Sequence, residues 1–212
     1  MVTVARVFVD ANVLYSRTLR DWLCLLRKYG PEVMDGEIFI VYWTEHVLSE
    51  ATYHLLKKHP AWDGAKLTQI RDRIVATFEG GRVEDFTVDG SFPGTDRNDQ
   101  HVHAAAVACD ADILLSDDGG FSVDEEAADD LPYEVFLPDD FFLLIEENMP
   151  EVVRRVTLEQ TLYWRGRKTG RADLARPLID AGCPEFAKRV RFHQSQLSLP
   201  AESEAKSEGK AS

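Results

Sequence analysis

Short apolar runs alternate along the first two thirds of the chain with stretches whose apolar positions recur at helical spacing. Residues 4–9 are apolar at five of six positions, with Arg6 the exception. The run is too short for a helix and suits a strand buried on both faces of a parallel sheet. After Asp10, the positions Val13, Leu14, Leu19, Trp22, Leu23 and Leu26 predict a core-facing helix ending at Gly30-Pro31. Residues 38–42 read as a second strand, and Thr44 offers an N-cap to a helix carrying Val47, Leu48, Ala51 and Leu55. Another amphipathic helix spans 63–78 and is closed by Gly80-Gly81, followed by a short edge strand at 82–86 and a loop at 91–94. A turn rich in Asp and Asn opens a helix at about 99–108 whose small residues allow close packing on a sheet. Strands are predicted at 113–116 and 134–137, and a helix begins at Pro138. Strands separated by helical crossovers of this length imply a central, mostly parallel sheet with helices on both faces, a three-layer α/β/α domain.

Beyond Met149-Pro150 the pattern becomes helical, over 152–163, 172–181 and 184–193, and from Pro200 it loses its apolar positions. The expected organisation is a domain at 1–147, a basic helical extension at 148–199 and a disordered tail at 200–212. Charge separates the same parts. Residues 1–147 hold 12 Lys+Arg against 29 Asp+Glu, a net of −17, while 148–212 hold 12 against 8, a net of +4. The whole chain of 212 residues therefore carries −13. No stretch approaches the roughly 20 apolar residues of a membrane span, and Met1 runs directly into a strand, so a cytoplasmic protein is expected. Cys24, Cys109 and Cys183 are far apart in apolar or helical contexts, which suggests reduced, buried thiols.

The acidic body draws attention to where its carboxylates fall. Asp10 and Asp117 each end an apolar strand, and ligands in open α/β sheets collect outside the carboxyl ends of strands. Asp99 stands in the first turn of a helix, and Glu45 and Glu50 lie on the helix after Thr44, with Glu50 nearer the buried side. Each has a plainer reading: a helix cap for Asp10, a solvated face for the glutamates. If several meet in one pocket, like charges must be compensated by protons or cations. Oxygen ligands without His or Cys favour Mg²⁺ or Mn²⁺, which can activate water and stabilise a phosphoryl group. A phosphatase or receiver would usually add a Lys at a later strand end, and none stands there. Walker-type and GxGxxG loops are also lacking.

The segments Val7-Phe8-Val9-Asp10-Ala11-Asn12-Val13-Leu14, Val47-Leu48-Ser49-Glu50, Asp96-Arg97-Asn98-Asp99-Gln100-His101 and Leu115-Ser116-Asp117-Asp118-Gly119-Gly120 resemble, in order and spacing, the successive motifs of a PIN domain. The branch most similar is that of the VapC-like toxins of bacterial toxin-antitoxin pairs, and the resemblance covers about residues 4–147. It implies a Mg²⁺- or Mn²⁺-dependent endoribonuclease with Asp10, Glu50, Asp99 and Asp117 as catalytic, metal-holding acids. Asn12, Asp96 and Asp118 would assist them, and a cognate antitoxin is implied as a partner. Structured DNA as substrate, or a catalytically silent RNA-binding or regulatory protein, are the competing readings. The extension lies outside the resemblance. Arg165, Arg167, Lys168 and Arg171 beside Tyr163 and Trp164 could bind an RNA backbone, or the helices could pack on the body or on a second subunit in a homodimer.

Overall fold

A computed structural model describes residues 4–94, 97–117, 131–167 and 172–197. Strands β1 (Ala5–Val9), β2 (Phe39–Tyr42), β3 (Ile113–Leu115) and β4 (Glu134–Phe136) form one sheet in the order β2-β1-β3-β4, with every neighbouring pair parallel. The chain is thus an α/β protein, compatible with a three-layer arrangement. Val7, Phe8, Val9, Leu114 and Leu115 are fully buried, which is why β1 and β3 read as nearly unbroken apolar runs. The strand order has a second consequence. From β1 the chain crosses to β2 on one side and later returns to β3 on the other, so the crossovers diverge between β1 and β3, whose carboxyl ends are the position where open α/β sheets form a ligand crevice.

Helices α1 (Ala11–Tyr15) and α2 (Arg17–Met34) follow β1, α3 (Glu45–Lys58) and α4 (Gly64–Thr77) follow β2, and α5 (Gln100–Ala108) precedes β3 after a 3₁₀ turn at Arg97–Asp99. Two expectations are corrected here. The first helix breaks at Ser16, whose backbone is extended, and its second part continues through Gly30 and Pro31 until Asp35 adopts a left-handed conformation. Pro31 lies in the last turns, where it forfeits one backbone bond to the carbonyl four residues back. Gly30 has a packing role instead: a Cβ there would stand 2.7 Å from Ile38 Cγ1. The edge strand expected at 82–86 is reduced to an isolated bridge between Trp43 and Arg82.

Helices α6 (Pro138–Asn148), α7 (Pro150–Arg165), α8 (Ala175–Asp180) and α9 (Pro184–Ser195) complete the described chain. They join the core of the body: α7 packs along α2, and α9 packs on α6 and α7. Phe186 sets its ring edge-on to Trp22, with centroids 4.9 Å apart, and also meets Phe142. Asp139 caps α9 by accepting from the backbone N–H groups of Glu185 (3.1 Å) and Phe186 (2.8 Å). Among the described residues no helix is long and apolar enough to cross a membrane.

Candidate active site

Register places the end of β1 beside the end of β3. Val9 pairs with Leu115, and the Asp10 N–H donates to the Leu115 carbonyl at 3.0 Å, so Asp10 and Ser116 leave the sheet side by side. Asp10 is 9% exposed and caps α1. Its Oδ1 accepts from the Ala11 N–H at 2.6 Å, and its Oδ2 accepts from Asn12 Nδ2 and Ser116 Oγ, each at 2.9 Å. Asn12 fastens the two strand ends together. Its Nδ2 also donates to Ser116 Oγ at 2.9 Å, while its Oδ1 accepts the Asp117 N–H at 2.9 Å. Asp10 is thus a helix cap, and the same geometry leaves its carboxylate at the joined strand ends.

Burial pushes the Asp10 carboxyl above the ordinary carboxylate range. The hydrogen bonds from Ser116 and Ala11 pull the other way, the negative charge of Glu50 adds to the rise, and His101 opposes it. Glu50 and His101 thus stand close enough for their charge to be felt at Asp10. Glu50 does not lie toward the buried side as expected. Its side chain is 47% exposed, with Oε1 3.7 Å from His54 Nε2, because its position on α3 falls one residue outside the buried stripe of Val47, Leu48 and Ala51. Glu45 instead pairs with Arg71 at 2.7 Å.

Asp117 is exposed, and an ideal Cβ built on Gly182 would stand 3.3 Å from its Oδ1. The extension thus reaches the strand-end site through the turn between α8 and α9, where Gly182 has φ +81°. Burial first, and then the charges of Asp139, Asp117 and Asp140, push the neighbouring Cys183 thiol up. Asp99 is half-buried at the start of α5, makes no side-chain cap bond, and adds to the burial that raises the Tyr133 phenol. Tyr133 in turn meets His103 Nδ1 at 2.7 Å, a buried pair that settles His103 as a core residue.

The structure therefore joins Asp10, Asn12, Ser116 and the Asp117 backbone by hydrogen bonds, and brings the charges of Glu50 and His101 to bear on Asp10. The charge of Asp99 is felt at Tyr133. Among the described residues no three His, Cys, Asp or Glu side chains are gathered closely enough to hold a metal ion. Asp96, Asp118, Lys168 and Arg171 lie outside the described residues. Arg165 is exposed at the end of α7, and Arg167 places its guanidinium 4.4 Å from the Tyr163 ring centroid. Sequence reasoning misses Ser116 and sets His101 aside. The signal for Ser116 is its position, one residue before Asp117 at a strand end. No protein-family model, curated protein or solved structure matches the chain.

Proposed function

We propose that this protein is a Mg²⁺- or Mn²⁺-dependent endoribonuclease with a PIN-like fold, hydrolysing RNA phosphodiester bonds. The observation that carries the reading is Asp10: a buried carboxylate at the carboxyl ends of β1 and β3, raised in pKa by burial and by Glu50, and held by three donors in one orientation. Burying an acid in this way is costly unless a cation or a proton offsets its charge. The donors nearby fit a hard cation in kind, being carboxylate oxygens. Asp10, Glu50, Asp99 and Asp117 would hold it, and the bound ion supplies charge for the phosphoryl oxygens and lowers the pKa of water. The chain's own groups do the positioning. Asn12 and Ser116 fix the Asp10 carboxylate, and Asn12 anchors the Asp117 backbone, so both strand ends face a substrate as one unit. A role as the toxin of a toxin-antitoxin pair, with an antitoxin as partner, rests on the resemblance of the motifs.

Cleavage of a labelled RNA with Mg²⁺, Mn²⁺ or chelator is the direct test. The wild type should cut with either cation and stop in chelator, and Asp10→Asn should be inactive while its circular dichroism is unchanged. Full cleavage by that variant would overturn the reading. One observation favours a second reading, a catalytically silent RNA-binding protein: Glu50 is turned outward beside His54, its side chain 47% exposed. Absence of cleavage with every cation, together with retained RNA binding, would select it. Cleavage of structured DNA in preference to RNA would change the substrate and keep the chemistry.

A further inference from the structure

A cleft of about 800 Å³ opens where α2, α3, α4 and α7 meet, away from the strand-end carboxylates. Six cations line it: Arg17, Arg20, Lys58, Lys66, Arg73 and Arg167. The two acids in its wall, Asp21 and Glu159, are already engaged, Asp21 with Arg17 at 3.5 Å and Glu159 with Arg155 at 3.1 Å. Lys58, Lys66 and Arg73 are exposed and form no ion pair with any described residue. In a chain of net charge −13, this concentration of cations around one cavity runs against the field of the whole molecule. Aromatic rings stand among them. Trp62 and His59 are stacked, with centroids 4.0 Å apart and planes 11° from parallel, and Arg17 lies 5.5 Å from the Trp164 ring centroid. Gln160 Nε2 is buried at the wall without an acceptor among the described residues.

We infer that this cleft binds single-stranded RNA and feeds it to the strand-end site. Cations that track phosphates, interleaved with rings on which bases stack, are what a single strand requires. Apolar or acidic ligands would leave either the cations or the rings unmatched. A chain of contacts runs from the cleft toward the carboxylates. Tyr15, in its wall, ends the helix that Asp10 begins, and its ring lies 5.1 Å from His54, whose Nε2 is 3.7 Å from Glu50. The binding surface thereby moves from the α7 loop to a cavity that α7 shares with the body. Of the described loop cations Arg165 and Arg167, the latter reaches it. The inference deepens the nuclease reading by naming where its substrate lies, and its test reads binding rather than cleavage.

Binding of a fluorescent single-stranded RNA of about a dozen nucleotides should be measured by anisotropy on the full chain carrying Asp10→Asn in chelator, across a salt series. Adding Lys58→Glu, Lys66→Glu and Arg73→Glu should weaken binding at least tenfold. The slope of log affinity on log salt should become shallower by about 2, at ~0.7 for each phosphate no longer neutralised. Trp62→Ala, which leaves the charge alone, should weaken binding about tenfold. A control with the same change in charge, Arg154→Glu with Lys188→Glu and Arg191→Glu, lies outside the cleft and should stay near the parent. Equal losses in both triple variants, no binding by the parent, or equally tight binding of a blunt RNA duplex would each overturn the assignment. Displacement of the RNA by polyglutamate as readily as by unlabelled RNA would make the cleft a site for acidic polypeptide and overturn it too. RNA cleavage by the wild type, measured in parallel, separates the two readings. Cleft-dependent binding without cleavage sinks the nuclease alone, and cleavage with cleft-independent binding sinks the cleft alone.

Discussion

The strand-end site and the cleft differ in almost every physical respect. The first is small, acidic and internally satisfied, with Asp10 buried and each of its oxygens accepting a hydrogen bond. The second is open and basic, and three of its cations lack an acidic partner among the described residues. A group that must hold one orientation benefits from a full set of local hydrogen bonds, since these fix it before any ligand arrives. A surface that must grip a long polyanion at many registers is better served by solvated side chains whose counterions leave on binding. On the proposed reading, the sheet supplies orientation and the helices around it supply affinity.

The largest effect should come from Asp10→Asn, with RNA cleavage reduced by at least a thousandfold in a turnover assay and binding in the cleft retained. The same variant in chelator should melt higher at neutral pH. A carboxyl whose folded pKa is raised loses stability as pH rises from its unfolded value of 3.8 through the folded one, and the amide has no such loss. Equal melting of the two proteins at neutral pH would contradict the cost assigned to that buried charge. Asn12→Ala removes the fastening between the strand ends. A drop of about 10- to 100-fold in cleavage is expected, the range typical of groups that orient a metal's ligands. Denaturant titration should show stability lower by about 1–3 kcal/mol, for the buried partners left behind. If cleavage stayed at the wild-type rate, the strand ends would not need to be fastened.

Gly182→Ala tests the approach of the extension to the site. It should cost about 1–2 kcal/mol for a side chain in the left-handed region. Its new Cβ would also sit against the Asp117 carboxylate, so cleavage should fall further than the change in stability explains. The smallest effect concerns His103. Burial holds its imidazole below the ordinary value of 6.5, with Asp89 opposing the shift. The unfolded chain takes up that proton first, so stability falls as pH drops from 6.5 toward the lower folded value. Melting between about pH 7.5 and about pH 5.5 should decline more steeply for the wild type than for His103→Gln, and parallel curves would leave His103 without a part in it.

How much of this is legible in the sequence follows from how local each feature is. β1 and β3 are readable because strands buried on both faces are written as unbroken apolar runs, and Asp10 and Asp117 are readable as the first acids after them. The exposure of Glu50 is not, because one residue along a helix turns a side chain by about 100° and the apolar stripe defines its edge only loosely. Ser116 carries no charge and no period to mark it. The helix across Gly30-Pro31 escapes a local reading because the glycine there serves packing against Ile38, just before the next strand, rather than a helix end. The cleft is least legible of all. Arg17, Lys58, Arg73 and Arg167 lie far apart in the chain, and nothing in their spacing announces that tertiary packing will collect them.

Asn12 leaves one more consequence. By spanning Asp10, Ser116 and the Asp117 N–H, it holds Asp10 beside Ser116 at the distance between neighbouring strands, roughly 4.8 Å in any β-sheet, with Asp117 one residue further along. That spacing is a property of the peptide backbone, nearly indifferent to which residues fill the core. The site therefore inherits its ruler from the sheet, and substitutions that loosen the surrounding helices can slow the protein or lower its melting point without changing the interval at which its two strand ends are presented.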